Sequence, residues 1–177
     1  HHIISDGWSM GILLEEWMAF YEGALSGKPA ELKELSIQYA DFVMWQKEWQ
    51  KEENLNQHLQ YWKEELSGEL PVLQLPMDRP RPAVQTHRGA SQSLIVANSL
   101  QEKLKDLSLQ EGCTLFMTLM AAYQSFHSRY TGRDDILVGS PLANRIVTEI
   151  EELIAFFVNT LVYRADFRAN PSLQELL

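Results

Sequence analysis

Cysteine is almost missing from this chain. Cys113 is the only one, which excludes an internal disulfide, argues against a cysteine-built zinc site and suits a reducing cytoplasm. Long apolar runs are missing too. No window approaches the roughly 18 consecutive apolar residues of a membrane span, and no charged, apolar, small-residue order marks a signal peptide. Nor is there a block of Lys or Arg: with 15 basic against 24 acidic residues and a formal charge of -9, nucleic acid and anionic membrane surfaces are poor partners. Internal repeats and low-complexity tracts are likewise lacking. What is present, 177 residues of which 45% are hydrophobic, suffices for one sizeable core, so an acidic, globular, cytoplasmic protein is expected. The first residue is not Met, and residues 170–177 show the Asn and Pro of a helix start but stop after barely a turn. The chain reads as a piece of something longer.

Hydrophobic spacing predicts a helix over 8–27, with Met10, Leu13, Leu14, Trp17, Phe20, Tyr21, Ala24 and Leu25 on its apolar face, Ser9 as cap and Gly27 as stop. Two further helices follow: one carries Ile37, Ala40, Val43 or Met44, and Trp49, and the other, after Glu52-Glu53-Asn54, carries Leu55, Leu59, Trp62 and Leu66. Four prolines within 71–82 forbid regular structure there and mark a boundary between lobes. Beyond it the pattern becomes mixed. A strand is expected at 90–97, a helix capped by Asn98 or Ser99 and stopping near Gly112, and a central helix capped by Thr114 with Phe116, Leu119, Met120, Tyr123, Phe126 and Tyr130 facing inward. Strands at 135–139 and 157–167 flank a loop at 141–145 and a helical turn at 148–153. The class is α/β or α+β.

Chemistry concentrates at the start, in His1-His2-Ile3-Ile4-Ser5-Asp6-Gly7. An imidazole titrates near neutrality, a nearby acid can fix its tautomer, and a glycine lets a ligand approach the backbone. A tag remnant would also begin with two histidines, but Ile3-Ile4 runs without a linker into Asp6-Gly7 and a helix. Two His and one Asp could hold a metal, yet adjacent residues on a strand face opposite ways, so metal is not expected. The same alternation lets one histidine, His2, face a cavity while His1 packs away from it. Asp6 is then an orienting or ion-pairing group, and Gly7 either serves turn geometry or offers its N–H to a reacting carbonyl. Other candidates read as structural. Gly139-Ser140-Pro141 lacks the second glycine of a nucleophile elbow, Glu151-Glu152 is a solvated face, and Trp45, Trp49 and Trp62 at helical spacing line a core or groove. Cys113 has no basic neighbour to activate it, and His58, His87 and His127 stand alone.

The opening His1-His2-Ile3-Ile4-Ser5-Asp6-Gly7-Trp8-Ser9 resembles the HHxxxDG signature of condensation domains in nonribosomal peptide synthetases. Four further blocks are similar to that family, in family order: Tyr39-Ala40-Asp41-Phe42-Val43-Met44-Trp45-Gln46, Leu75-Pro76-Met77-Asp78-Arg79-Pro80-Arg81-Pro82, Val138-Gly139-Ser140-Pro141-Leu142-Ala143-Asn144-Arg145, and Phe156-Phe157-Val158-Asn159-Thr160-Leu161.

The resemblance implies a two-lobed, chloramphenicol-acetyltransferase-like fold, incomplete in this chain. Residues 1–72 would belong to the first lobe, 73–88 to the crossing segment and 89–177 to the second lobe. Arginine-bearing blocks precede the double histidine in the family, so an arginine pairing with Asp6 from there would lie outside the chain. The implied activity is amide formation between two aminoacyl or peptidyl thioesters, with no cofactor bound directly and the phosphopantetheine arms supplied by donor and acceptor peptidyl carrier proteins. An adenylation domain would be the neighbour. His2 would be the catalytic residue, His1, Asp6 and Gly7 its support, and Trp8, Ser140 and Asn159 further tunnel or substrate contacts. The filling Ile3-Ile4-Ser5 and the block at 157–161 lean toward the subtype taking an L-configured donor. Alternatives are an epimerization domain, whose signature typically places Ser-Trp where this chain has Trp8-Ser9, another acyltransferase of the superfamily, and an inactive carrier-binding module. A heterocyclization domain would carry Asp in place of the two histidines.

Overall fold

The computed structural model describes residues 1–51 and 53–177, with backbone alone at 53 and 54. Glu52, in the expected break between the second and third helices, lies outside the described residues. In order, the elements are α1 (Gly7–Ser26), α2 (Tyr39–Trp49), α3 (Glu53–Glu65), α4 (Asn98–Gln110), α5 (Leu115–Thr131), β1 (Asp135–Leu142), a 3-10 turn (Thr148–Ile150), β2 (Asn159–Asp166) and α6 (Leu173–Leu176). The two strands pair in a single two-stranded sheet. The expected mixture of helix and strand is thus present.

Two compact units emerge, one made of His1–Gly68 with Gly139–Leu161, the other of Glu69–Val138 with Val162–Leu177. The divisions after Val138 and Leu161 fall within the two strands. In the first unit the core is Phe42 from α2 with Ile150, Leu153, Ala155 and Phe157 from the segment before β2, joined by Ile37 and Val43. Aromatic edges do much of the packing, since Phe157 meets Phe42 at 4.9 Å and Tyr39 at 5.4 Å between ring centroids. Helix α2 begins where the Gln38 N–H donates to the Asp41 carboxylate at 2.8 Å, which satisfies one of the orphan groups of the helix start.

In the second unit α5 starts at Thr114, whose hydroxyl accepts the Met117 N–H at 3.2 Å, as its sequence predicts. Its buried face is not the aromatic one. Thr118, Ala121, Gln124 and His127 are enclosed, while Phe116, Leu119, Tyr123, Phe126 and Tyr130 stay about half exposed. Polar partners explain the choice: Thr118 shares a 2.7 Å hydrogen bond with Ser108 of α4, and the Gln124 amide donates to the Tyr163 carbonyl at 3.0 Å. A bidentate pair, Arg164 on Asp135, ties β2 to β1 at 3.0 and 2.7 Å.

Residues 90–97 form no strand, and Ile95 is 93% exposed. A strand needs a hydrogen-bonding neighbour, and the β1–β2 sheet does not supply one to this segment. For the same reason residues 2–4 form a turn rather than a strand end, with the Ile4 N–H donating to the His1 carbonyl at 3.1 Å. The apolar face of α1 is also largely open: Met10, Leu13, Leu14, Trp17, Phe20, Tyr21 and Leu25 are exposed, and its buried residues are Ser9 and Gly23. No described helix is long and apolar enough to cross a membrane.

Candidate functional site

Helix α1 is started by Asp6 rather than by Ser9. The Asp6 backbone is extended, and its carboxylate accepts the Ser9 N–H at 2.9 Å. Ser9, one turn in and fully buried, does something else: its hydroxyl oxygen accepts the Ala155 N–H at 3.1 Å and an Arg145 Nη2–H at 2.9 Å. That leaves one hydroxyl hydrogen for two acceptors within reach, Asp6 Oδ1 at 2.7 Å and the Ala155 carbonyl at 2.8 Å. The start of α1 is thereby bound to the segment that leads into β2.

An arginine from within the chain completes this arrangement. Arg145 Nη2 lies 3.3 Å from Asp6 Oδ1, and both side chains are closed to solvent. Its other amino group, Nη1, donates to the carbonyls of Ile150 and Leu153, the second at 2.9 Å, and its Nε has no hydrogen-bond partner among the described residues. The guanidinium plane instead rests 4.4 Å from the Phe157 ring centroid and 5.6 Å from that of Trp8. Asn144, just before it, sits at φ 56°. Asparagine tolerates that left-handed conformation better than most residues.

Asp6 is held as an anion. Burial by itself pushes its carboxyl up, but the Ser9 N–H and hydroxyl, the Phe157 N–H at 3.1 Å and Arg145 together outweigh this and lower it from the ordinary 3.8 to about 2. A carboxylate so fully engaged is an anchor and a poor base.

Above this anchor lies an open hollow of about 680 Å³ lined by His2, Asp6, Gly7, Trp8, Pro141, Leu142, Ala143, Phe156 and Val158. The His2 ring is exposed, meets Phe156 edge to face at 5.9 Å, and places Nδ1 3.2 Å from the Ser5 carbonyl. A carbonyl can only accept, so Nδ1 carries the proton and a neutral His2 ring presents its lone pair at Nε2. Open space faces Gly7, where an added Cβ would meet no atom within 4 Å. Trp8 is fixed by its indole N–H, which donates to the Glu151 carbonyl at 2.9 Å.

Of the residues singled out from sequence, the structure brings His2, Asp6, Gly7 and Trp8 to this hollow. His1 is exposed rather than packed, its ring accepting the Ile3 N–H at 3.2 Å, because a turn and not a strand carries it. Ser140 is half-buried on β1 and only its neighbours Pro141, Leu142 and Ala143 line the hollow. Asn159 lines a different one, with Trp45, Trp49 and Trp62. Sequence reasoning missed Arg145, Ser9, Phe156 and Tyr39, whose hydroxyl donates to the Phe156 carbonyl at 3.1 Å. One signal was available for Arg145, a single cation among the apolar residues between β1 and the 3-10 turn. Among the described residues no three His, Cys, Asp or Glu side chains are grouped so as to hold a metal ion.

The condensation-domain family model matches residues 1–177. A linear gramicidin synthase of Brevibacillus parabrevis is 54% identical over 177 residues, covering all of this chain and 4% of that protein. Malpinin synthetase of Mortierella alpina is 44% identical over all of this chain and 2% of its own length. The chain therefore spans a small fraction of such relatives. Among solved structures, the X-domain from teicoplanin biosynthesis superposes with a TM-score of 0.87 at 25% identity, over 99% of this chain and 40% of that one. The chain belongs to the condensation-domain family of nonribosomal peptide synthetases and carries part of that fold.

Proposed function

We propose that the domain containing this chain joins two carrier-bound acyl groups by a peptide bond, with His2 at the reacting centre. The observation that carries the reading is the placement of His2: its ring borders an open hollow, and a backbone carbonyl holds its proton on Nδ1. In the reaction the acceptor's amine nitrogen attacks the donor's thioester carbonyl, a C–N bond forms, the C–S bond breaks, and the amine's proton leaves through Nε2 to the departing thiolate. No covalent enzyme intermediate is required. Alignment and stabilisation of the tetrahedral oxyanion supply the acceleration, alignment alone contributing up to about 7–11 kcal/mol in favourable cases.

The remaining roles belong to the same proposal. Asp6 holds the turn that presents His2, Gly7 leaves room for substrate, and Trp8 walls the hollow, with His1 outside it. Ser140 and Asn159 act on substrate portions farther from the imidazole. No cofactor is held by the chain itself; phosphopantetheine arms arrive on donor and acceptor carrier proteins, next to an adenylation domain. The L-donor subtype is favoured by Ile3-Ile4-Ser5 and the block at 157–161.

The test is a condensation assay on the complete natural protein with loaded carriers. His2→Ala should lower dipeptide formation by roughly 10²–10⁴, the range of a positioned proton-transfer group. A near-normal rate would refute the role.

A further inference from the structure

We infer that the hollow beside His2 seats an apolar side chain of the acceptor aminoacyl group, and that Phe156 sets the size it admits. The inference rests on the condensation reading and deepens it. Once the acceptor's amine is at Nε2 of His2, the carbon bearing its side chain is one bond away, so that side chain must occupy the space adjoining the imidazole. Trp8, Pro141, Leu142, Ala143, Phe156 and Val158 wall that space. The carboxylate among its walls, Asp6, is closed to solvent and already accepts from Ser9, Phe157 and Arg145. A Lys or Arg side chain entering the hollow would find no free carboxylate there, and for any charged side chain the apolar walls replace part of its hydration without offering hydrogen bonds in return.

Phe156 is suited to measure size because it cannot easily give way. Its carbonyl takes the Tyr39 hydroxyl at 3.1 Å, the next residue's N–H is bound to Asp6 at 3.1 Å, and its ring meets the His2 ring edge to face. The peptide group that follows Phe156 is thus held at both its C=O and its N–H, the Ala155 carbonyl before it is within 2.8 Å of the Ser9 hydroxyl, and a wall anchored in this way discriminates where a mobile one would adapt. Apolar pockets separate substrates differing by a methylene by about 10–200-fold, so differences of that order are the expected scale.

The experiment loads the acceptor carrier of the complete natural protein chemically with Leu, Trp, Asp or Lys as the pantetheine thioester, bypassing amino-acid activation, and keeps one donor throughout. Wild type should use Leu with a kcat/KM about 10-fold or more above Asp and Lys. Phe156→Ala should raise the Trp-to-Leu ratio about 10-fold, and Phe156→Leu, which keeps an apolar wall, should move it the same way by less. Comparable use of all four acceptors by wild type, or an unchanged Trp-to-Leu ratio in both variants, overturns the inference while leaving condensation intact. Absence of dipeptide with every acceptor removes the condensation reading and this inference together. The wild-type comparison stands even where Phe156→Ala does not fold.

Discussion

Arg145 meets Asp6 across 139 residues of sequence, with both side chains sealed from solvent. The contact is single-pronged at 3.3 Å, and the rest of the guanidinium serves Ser9 and the carbonyls of Ile150 and Leu153. A buried charge pair of this kind is costly to halve, because the remaining partner keeps its charge without compensation.

Asp6→Ala and Arg145→Met should therefore each lower stability by about 3–5 kcal/mol, read from urea unfolding followed by circular dichroism. The double variant Asp6→Ala/Arg145→Met should lose less than the two single losses combined. Strict additivity would show that the pair is not energetically coupled.

Acid should find the same point. Because the Asp6 carboxyl is lowered from 3.8 to about 2, the folded chain binds fewer protons than the unfolded one between those values. Its contribution is complete above about pH 4 and disappears as pH falls toward 2. Subtracting the pH–stability curve of Asp6→Asn from that of wild type should isolate this window, and a flat difference would contradict it.

Ser9→Ala should cost about 1–3 kcal/mol, since the Ala155 N–H and one Arg145 donor lose their buried acceptor. Thermal melting reads the loss. Ser26→Ala makes the control: its exposed hydroxyl bonds only to carbonyls of its own helix, and little change is expected.

Two glycines of α1 should behave oppositely. A Cβ on Gly23 would stand 2.8 Å from the Lys28 carbonyl oxygen and 3.1 Å from the Ala30 nitrogen, both backbone, so Gly23→Ala should destabilise. Gly11 has nothing within 4 Å of that position, and Gly11→Ala should stabilise by up to about 1 kcal/mol through helix propensity. Melting temperatures of the two variants check both signs.

Local rules read well from sequence where the cause is local. The extents of α1, α4 and α5 follow from periodicity, Thr114 caps α5, and Gly27 stops α1 in the left-handed conformation at φ 67°, but the cap position of α4 is Ala97, with no side-chain cap bond, and the expected Asn98 and Ser99 already lie within the helix. Strand pattern was enough at 135–139 and 157–167 because β1 and β2 have each other. The strand-like run at 90–97 was not, since pairing is a property of two segments. On α5 the aromatic stripe suggested the wrong inner face, because Thr118 and Gln124 find partners in α4 and β2 that periodicity cannot see. At the site the grouping of His2, Asp6 and Gly7 was legible in the seven-residue opening, but the arginine under it was not. Its pairing spans 139 positions, and neither the block that ends on Arg145 nor the apolar residues around it names Asp6 as the partner.

The turn at Asn144 has a consequence that reaches beyond its own loop. Asn144, at φ 56°, directly precedes the buried guanidinium, and a β-branched residue there would meet a steric penalty that an extended backbone relieves at the expense of the Arg145 position. The partner of the buried Asp6 carboxylate is thus set next to a residue whose backbone few side chains accept. Screens for loss of activity should find such remote steering positions beside direct contacts, distinguishable by whether glycine, which accepts the same torsion, restores the wild-type rate.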